Sequence, residues 1–418
     1  MSMGSVKRRV TYRLYPSKGQ AAKLAEMLRA HQRLWNGALE QRIAAWRQHR
    51  VSIGYVEQCR QLTELREDDP VYGALNAQSS QVTLKRLDLA MQAFFRRVER
   101  GDDPGFPRFK ALARFRGWGY KTHGDGWKLL PGERMRHGRL RLSGVGVIPM
   151  RGQARTPGEP ATLDIRHRRD TWYASVVVEC VPVRERGTEE NGLDWGVESV
   201  ATLHTGERIE NPRFLVKAEA KLTACQREVA KKRKGSNNQR KAVARLAAAH
   251  EKVSNQRADF LHQESARLVA RSSLIATEEL AVRKMTASAR GTVETPGRNV
   301  RQKAGLNRSI LDGAPSAFLA MLRVKAEEAG CEYVEIPTRT VKPSQTCPAC
   351  GSIRKKALSE RVHSCECGCR MPRDQASALV CLRYALRAGN RPRARGSGQP
   401  LPSIHETHAV CSTELRRE

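Results

Sequence analysis

Apolar and basic side chains alternate over residues 7–15, Lys-Arg-Arg-Val-Thr-Tyr-Arg-Leu-Tyr, which predicts a strand broken by Pro16 and Gly19. From Gln20 to about Gln48 the period lengthens. Leu24, Met27, Leu28, Leu34, Trp35, Leu39, Ile43 and Trp46 recur at helical spacing. More helix is predicted around Val56–Arg66 and Asn76–Arg100, and the Pro/Gly-rich segment Gly101–Lys110 ends this region as a loop. From about Trp118 to Val183 the pattern reads as short strands: Trp127–Leu130, Arg139–Leu142, Thr162–Arg166 and Trp172–Cys180. Turn residues separate them, and apolar positions alternate with arginines. That is the pattern of a small barrel or sheet with one packed face and one face suited to phosphate.

Two apolar runs in the second half, Leu193–Leu203 and Leu274–Glu278, each begin or end at acidic residues. Between them lies a basic, Ala-rich stretch from Pro212 to Ser272, interrupted at Gly235-Ser236-Asn237-Asn238, which predicts an antiparallel helical hairpin. Its Arg227, Lys231, Lys232, Arg233, Lys234, Arg240, Lys241 and Arg245 suit phosphate contacts, which position a nucleic acid without reading its sequence. Met285–Asn307 is polar and Gly-rich and is expected to be a mobile loop. Helical spacing returns over Ser309–Ala329, a strand is predicted at Cys331–Pro337, and a last helix runs from about Gln375 to Ala388. The tail, Gly389–Glu418, is rich in Pro, Gly, Arg and Ser and is expected to be disordered.

Charge changes this picture from a generic α/β protein to a binder of polyanions. The 418 residues carry 75 Lys+Arg against 43 Asp+Glu, a formal net charge of +32. Such a chain repels itself unless a polyanion screens it, and nucleic acid is the usual one. No apolar run approaches the roughly 20 residues needed to cross a bilayer, and the basic N-terminus is not followed by the apolar segment of a secretory signal. The expectation is a cytoplasmic protein.

Five of the eleven cysteines fall between Cys347 and Cys369. In a reducing compartment that clustering predicts metal ligation and not a disulfide framework. Cys347-Pro348-Ala349-Cys350-Gly351 is a knuckle whose tight turn lets two thiolates and nearby amides converge on one tetrahedral ion. Cys365-Glu366-Cys367-Gly368 is the second pair. Cys347, Cys350, Cys365 and Cys367 are the predicted ligands of a structural zinc ion, with Cys369 and His363 as competitors.

Three acids are placed where chemistry can be done. Asp194 ends an apolar run, Glu278 ends another, and Asp374 stands where a helix begins just past the cysteines. Carboxylates at strand ends and a helix start can meet on one side of a sheet and hold two divalent cations about 4 Å apart. Glu279 competes with Glu278 as the inward-facing group.

At this point the residues resemble a known family. Gly192-Leu193-Asp194-Trp195-Gly196-Val197 is similar to the first RuvC motif of TnpB proteins, also called OrfB-type transposases. Ile275-Ala276-Thr277-Glu278-Glu279-Leu280 is similar to the second, and Arg373-Asp374 opens the third. Ser344-Gln345-Thr346-Cys347 through Gly351, with Cys367-Gly368, resembles the family's zinc ribbon. Arg13-Leu14-Tyr15-Pro16, Trp35-Asn36 and Phe106-Pro107-Arg108-Phe109-Lys110 match as well. The resemblance implies an α/β RNase H-like (RuvC) domain over 190–342 and 371–388, with the ribbon inserted at 343–370. It also implies a wedge-like β-barrel domain over 1–19 and 118–185, interrupted by a helical recognition domain over 20–117. Asp194, Glu278 and Asp374 are implied to bind catalytic Mg²⁺, as two ions in the general scheme of two-metal nucleases. A guide RNA and a target DNA with a short flanking motif are the implied partners, and RNA-guided cleavage the implied activity. A miniature type V CRISPR effector and a guided repressor that does not cut are the alternatives. Two departures stand out: Pro372 replaces the usual acid before Arg373-Asp374, and Ala376 replaces the Asn usual two residues after the catalytic Asp.

Overall fold

The computed structural model describes residues 5–154, 156–181, 184–292, 294–357 and 359–389; the segment after Gly389, expected to be disordered, lies outside the described residues. The described residues divide into two compact units, one over 5–181 and the other over 184–389.

In the first unit the alternating N-terminal residues form strand β1 (Val6–Leu14), with Val10, Tyr12 and Leu14 buried. The chain then leaves the sheet through helix α1 (Lys18–His49), which starts at a capping box between Ser17 and Gln20. Helices α2 (Tyr55–Asp68), α3 (Pro70–Gly73) and α4 (Ala77–Glu99) follow. Six strands return: β2 (Gly117–Tyr120), β3 (Trp127–Pro131), β4 (Arg136–Leu142), β5 (Gly146–Gln153), β6 (Glu159–Arg168) and β7 (Thr171–Cys180). The sheet order is β2-β6-β7-β1-β5-β4-β3, so the first strand lies at the centre and the helices are an excursion between it and the rest. Among the described residues no ladder joins the edges β2 and β3. The sequence pattern does not predict β5. Pro149 and glycines interrupt its alternation, yet Ile148 and Met150 are buried against the core.

One core joins the sheet to α1 and α4. At its centre His31 is fully buried, stacked on Trp118 with ring centroids 5.3 Å apart. Its Nδ1 lies 2.9 Å from Thr83 Oγ1 and its Nε2 3.3 Å from Ser79 Oγ. A buried imidazole with neutral partners cannot take a proton cheaply. Burial first, and then the charge of Arg86, lowers its pKa to about 3.

The second unit holds a five-stranded mixed sheet in the order β10-β9-β8-β11-β12. The apolar run Leu193–Leu203 is not one element: β8 (Glu189–Asp194) and β9 (Ser199–Leu203) are separate antiparallel strands turning at Trp195-Gly196, and β10 (Arg208–Glu210) extends the meander. Helices α5 (Phe214–Ala230) and α6 (Asn237–Arg271) form the basic hairpin, and β11 (Ser272–Glu278) then pairs parallel to β8. After the short α7 (Val282–Met285) the structure corrects the reading of Met285–Asn307 as loop throughout. Helix α8 (Val300–Gly313) already begins inside it, tied down by Asn307 Nδ2 donating to Thr286 O and by Lys303 reaching Met285 O. The helix expected over Ser309–Ala329 is likewise two, because Ala314 at φ +47° separates α8 from α9 (Pro315–Ala329).

Strand β12 (Glu332–Ile336) pairs parallel to β11, followed by α10 (Thr338–Val341), the hairpin β13 (Val362–Ser364) and β14 (Arg370–Pro372), and helix α11 (Arg373–Gly389). Successive residues of β11 face opposite ways: Ile275 packs with Leu268, Phe318 and Leu322 of α6 and α9, whereas Leu274 and Ala276 pack with Cys381, Leu382 and Ala385 of α11. Helices therefore cover both faces of this sheet. No described helix is long and apolar enough to cross a membrane.

The His31 cage predicts an acid-sensitive fold. The unfolded imidazole titrates near 6.5 while the folded one stays neutral to about 3, so protons favour the unfolded chain as pH falls below 6.5. In urea titrations the stability advantage of the wild type over His31→Gln should shrink below pH 6.5, by up to about 1.4 kcal/mol per pH unit. A pH-independent difference would contradict this.

Candidate active site

Two of the three candidate acids are placed by register alone. Parallel pairing of β8 and β11 sets Gly192 beside Ala276 and Leu193 beside Thr277, so the next residues, Asp194 and Glu278, come level at the same ends of adjacent strands. The third comes from α11, whose first turn carries Asp374. That helix packs unusually close to β8. A Cβ on Gly192 would lie 2.1 Å from Ala378 O and 2.8 Å from Leu382 Cβ, so only glycine permits the approach. The glycine of the Gly192-Leu193-Asp194 motif therefore has a steric role: it lets the helix start close to the strand end.

One helical turn after Asp374, the buried Ser377 points into the same place. Its Oγ lies 3.0 Å from Asp194 Oδ1 and 3.1 Å from Glu278 Oε1. A hydroxyl has one proton to give, so it cannot donate to both carboxylates. Both contacts are satisfied when one acid is protonated and donates to Oγ. The electrostatics agree. Burial, then the charge of Glu278 and then that of Asp374, raises Asp194 well above the usual carboxylate range. Burial likewise raises Glu278, against the pull of Ser377 and Arg373. Mutually repelling, half-sheltered carboxylates either keep protons or accept a cation, and an all-oxygen donor set fits a hard divalent ion. Glu279, the alternative to Glu278, is exposed, and its backbone serves the sheet edge, accepting from Thr338 Oγ1. Ala376 is buried and apolar. Gln375 donates to His204 O instead, so the hydroxyl that the fold brings to both carboxylates is Ser377, and its position three residues after Asp374 is the sequence signal for it.

The cysteines form a second centre, joined to the first through the chain. Cys347, Cys350, Cys365 and Cys367 offer ligand atoms all within 4.8 Å of one another. Cys347 Sγ lies 3.7 Å from Cys367 Sγ, and Cys350 Sγ 3.6 Å from Cys365 Sγ. Tetrahedral thiolates about 2.3 Å from a shared ion stand about 3.8 Å apart, so the thiols fit such an ion. Gly351 (φ +78°) and Gly368 (φ +85°) make the two turns. Burial pushes the Cys347 thiol up, but the amides of Cys350 and Ala349 together with His363 outweigh it and bring the thiol down to about 5. Cys347, His363 and Cys369 form an overlapping set within the same 4.8 Å limit. Strand β14 runs directly into α11, and Arg373 donates through Nη1 to Ala357 O and Glu360 O. The ribbon thereby anchors the residue before Asp374.

A mixed sheet with Asp194 and Glu278 level at one end, Asp374 in the first turn of the adjoining helix and a thiol ribbon running into that helix is the arrangement set against known proteins. Residues 173–289 match a family model described as a "Probable transposase" of the OrfB type, residues 316–381 a "Cas12f1-like, TNB domain", and residues 1–50 a "Helix-turn-helix domain". Within that last match the described residues form β1 and the single helix α1. Two relatives are each named "Putative RNA-guided DNA endonuclease". One, from Streptomyces pristinaespiralis, is 31% identical and covers 97% of both chains. The other, InsQ of Escherichia coli K12, is 31% identical over 78% of both. In fold the chain is similar to the protein in a Cas12f1–sgRNA–target DNA complex, with a TM-score of 0.56 at 10% identity over 90% of this chain and 99% of that one. The chain belongs to the TnpB family of RNA-guided DNA endonucleases.

Two outcomes follow from the geometry. Gly192→Ala should cost about 1–3 kcal/mol of stability through overpacking against α11, read as a lowered urea midpoint; an unchanged midpoint would refute the close approach. Ser377→Ala removes the hydroxyl that can stabilise one ionised carboxylate of the Asp194–Glu278 pair, so protons should compete better with metal. Calorimetric Mn²⁺ binding should weaken about tenfold near neutral pH, with the deficit closing as pH rises. Equal affinity at all pH values would remove Ser377 from the site.

Proposed function

We propose that this protein hydrolyses phosphodiester bonds of DNA that has paired with a transposon-derived guide RNA, using Asp194, Glu278 and Asp374 as ligands for catalytic Mg²⁺. The observation that carries this reading is the level placement of Asp194 and Glu278 on parallel strands beside the first turn of α11. The strand order, an antiparallel meander extended by two parallel strands, supports an RNase H-like reading of this domain. Asp194, Glu278 and Asp374 would hold divalent ions, which when bound would supply an activated water and neutralise charge on the phosphate. The chain's own residues do the remaining work. Asp194 and Glu278 offer oxygens from one side, Asp374 offers its carboxylate from the helix start, and Ser377 orients the first two. Zn²⁺ on Cys347, Cys350, Cys365 and Cys367 is structural in this account: four thiolates leave no open position, and the ribbon fixes the start of α11.

The rest of the chain serves binding. The wedge-like sheet over 1–19 and 118–185 and the recognition helices over 20–117 are assigned to the guide and the flanking motif. The nuclease comprises 190–342 and 371–388, with the ribbon at 343–370. Lys231, Lys232, Arg233 and Lys234 at the tip of the α5–α6 hairpin are exposed, as are Arg240, Lys241 and Arg245 beyond it, and together they give a track for backbone phosphates. Base pairing supplies sequence selection, so the protein needs charge and shape more than base-reading side chains.

Asp194→Ala or Asp374→Ala should lower guide-directed cleavage of a matched target by at least about a thousandfold, with guide and target affinities retained in filter binding. Loss of binding together with cleavage would make the acids structural. A wild type that binds matched DNA and never cuts it with Mg²⁺ would favour the repressor reading.

A further inference from the structure

Four of the chain's eight phenylalanines, Phe94, Phe95, Phe106 and Phe109, fall between residues 94 and 109. They do not fill a core. Phe95 is 53% exposed, Phe106 44% and Phe109 52%. Scattered surface apolar residues are ordinary, but here Phe95 and Phe106 both adjoin Phe94 and Phe109 follows three residues later, so the exposed rings fall in one short segment.

This group is held in place. Phe94 on α4 meets Phe95 and Phe106 edge to face, each pair with centroids 5.1 Å apart. Arg97 fixes the intervening loop, donating through Nε to Pro104 O at 2.6 Å and through Nη2 to Gly105 O at 3.1 Å. At the far end Trp35 Nε1 donates to Arg108 O, and Asn36 both donates to Lys110 O and accepts from Lys110 N. The side chains of α1 and α4 thus clamp the Phe106–Lys110 motif at both ends and leave its two rings facing outward. Arg96, Arg100 and Arg108 are exposed among them and form no ion pair among the described residues.

Rigid aromatic faces interleaved with uncommitted guanidinium groups match one kind of ligand: a nucleic acid strand whose bases are unpaired. The bases supply flat faces for the rings, and the phosphates answer the arginines. A duplex offers phosphates but keeps its base faces stacked inside. We propose that Phe95, Phe106 and Phe109 are a stacking platform for unpaired bases of the strand this protein carries, with Arg96, Arg100 and Arg108 holding its backbone. The proposal rests on the nucleic-acid-binding function argued above and adds where single-stranded segments are gripped.

The test uses the full chain, a labelled deoxythymidine oligonucleotide without secondary structure, and a blunt duplex of the same length. Phe106→Ala and Phe109→Ala should each weaken binding to the single strand by about tenfold and leave duplex affinity unchanged. Phe106→Trp should restore single-strand binding and Phe106→Leu should not, because stacking needs a ring and leucine keeps only apolar contact. Rescue by leucine, an equal loss on both probes or no loss at all would overturn the platform while nucleic-acid binding stood. A change in oligomeric state with unaltered single-strand affinity would overturn it in favour of a protein interface. A wild type that binds neither probe would defeat both this proposal and the function it rests on.

Discussion

The parallel register of β8 and β11 is the constraint on which the candidate site depends. Side chains in a sheet alternate faces, so a slip of one residue would turn Asp194 or Glu278 to the opposite side. Burial enforces the register. Leu193 and Ile275 must enter the core shared with α6 and α9, while Leu274 and Ala276 must meet α11. The acids are thus level because the hydrophobic residues just before them have nowhere else to go. The core determines the geometry of the charged site, and the charged site opposes the core. Burial raises the proton affinities of Asp194 and Glu278, and at Asp194 the like charges of Glu278 and Asp374 add to it, so a partly sheltered edge holds these carboxylates at a cost. A divalent cation relieves it.

The third acid depends on a different contact. Asp374 lies far along the chain, on a helix that reaches the strand end only because Gly192 lacks a side chain. The thiol ribbon precedes that helix without a linker, and Arg373 ties the junction to the ribbon's carbonyl groups. The thiol cluster and the carboxylate cluster are therefore coupled through covalent continuity. A ribbon that lost its ion would loosen the start of α11, and with it Asp374 and Ser377.

Much of this was legible in the sequence, for identifiable reasons. Strong period changes exposed β1 and α1, and the separation of apolar runs by the basic hairpin located the ends of β8 and β11. Spacing of the cysteines marked their cluster, because metal ligation demands it. What stayed hidden depends on tertiary contact. Strand β5 hides behind Pro149 and its glycines and exists because β1 and β4 flank it. Helix α8 starts in a polar segment that hydrogen bonds from Lys303 and Asn307 pin in place. Ser377 looks like any small helical residue until the fold brings two carboxylates to its hydroxyl. Ala376, one position earlier, drew attention as a missing polar group, whereas the structure supplies the polar group at the next residue.

In the proposed site Asp194, Glu278 and Asp374 share divalent ions at one end of the five-stranded sheet. Crystals of the protein soaked in Mn²⁺, with anomalous diffraction recorded at the manganese edge, examine it directly. Anomalous peaks are expected between these three carboxylates and within coordination distance of each. Manganese bound elsewhere with this cluster empty, or peaks that engage Glu279 while Glu278 turns away, would contradict it.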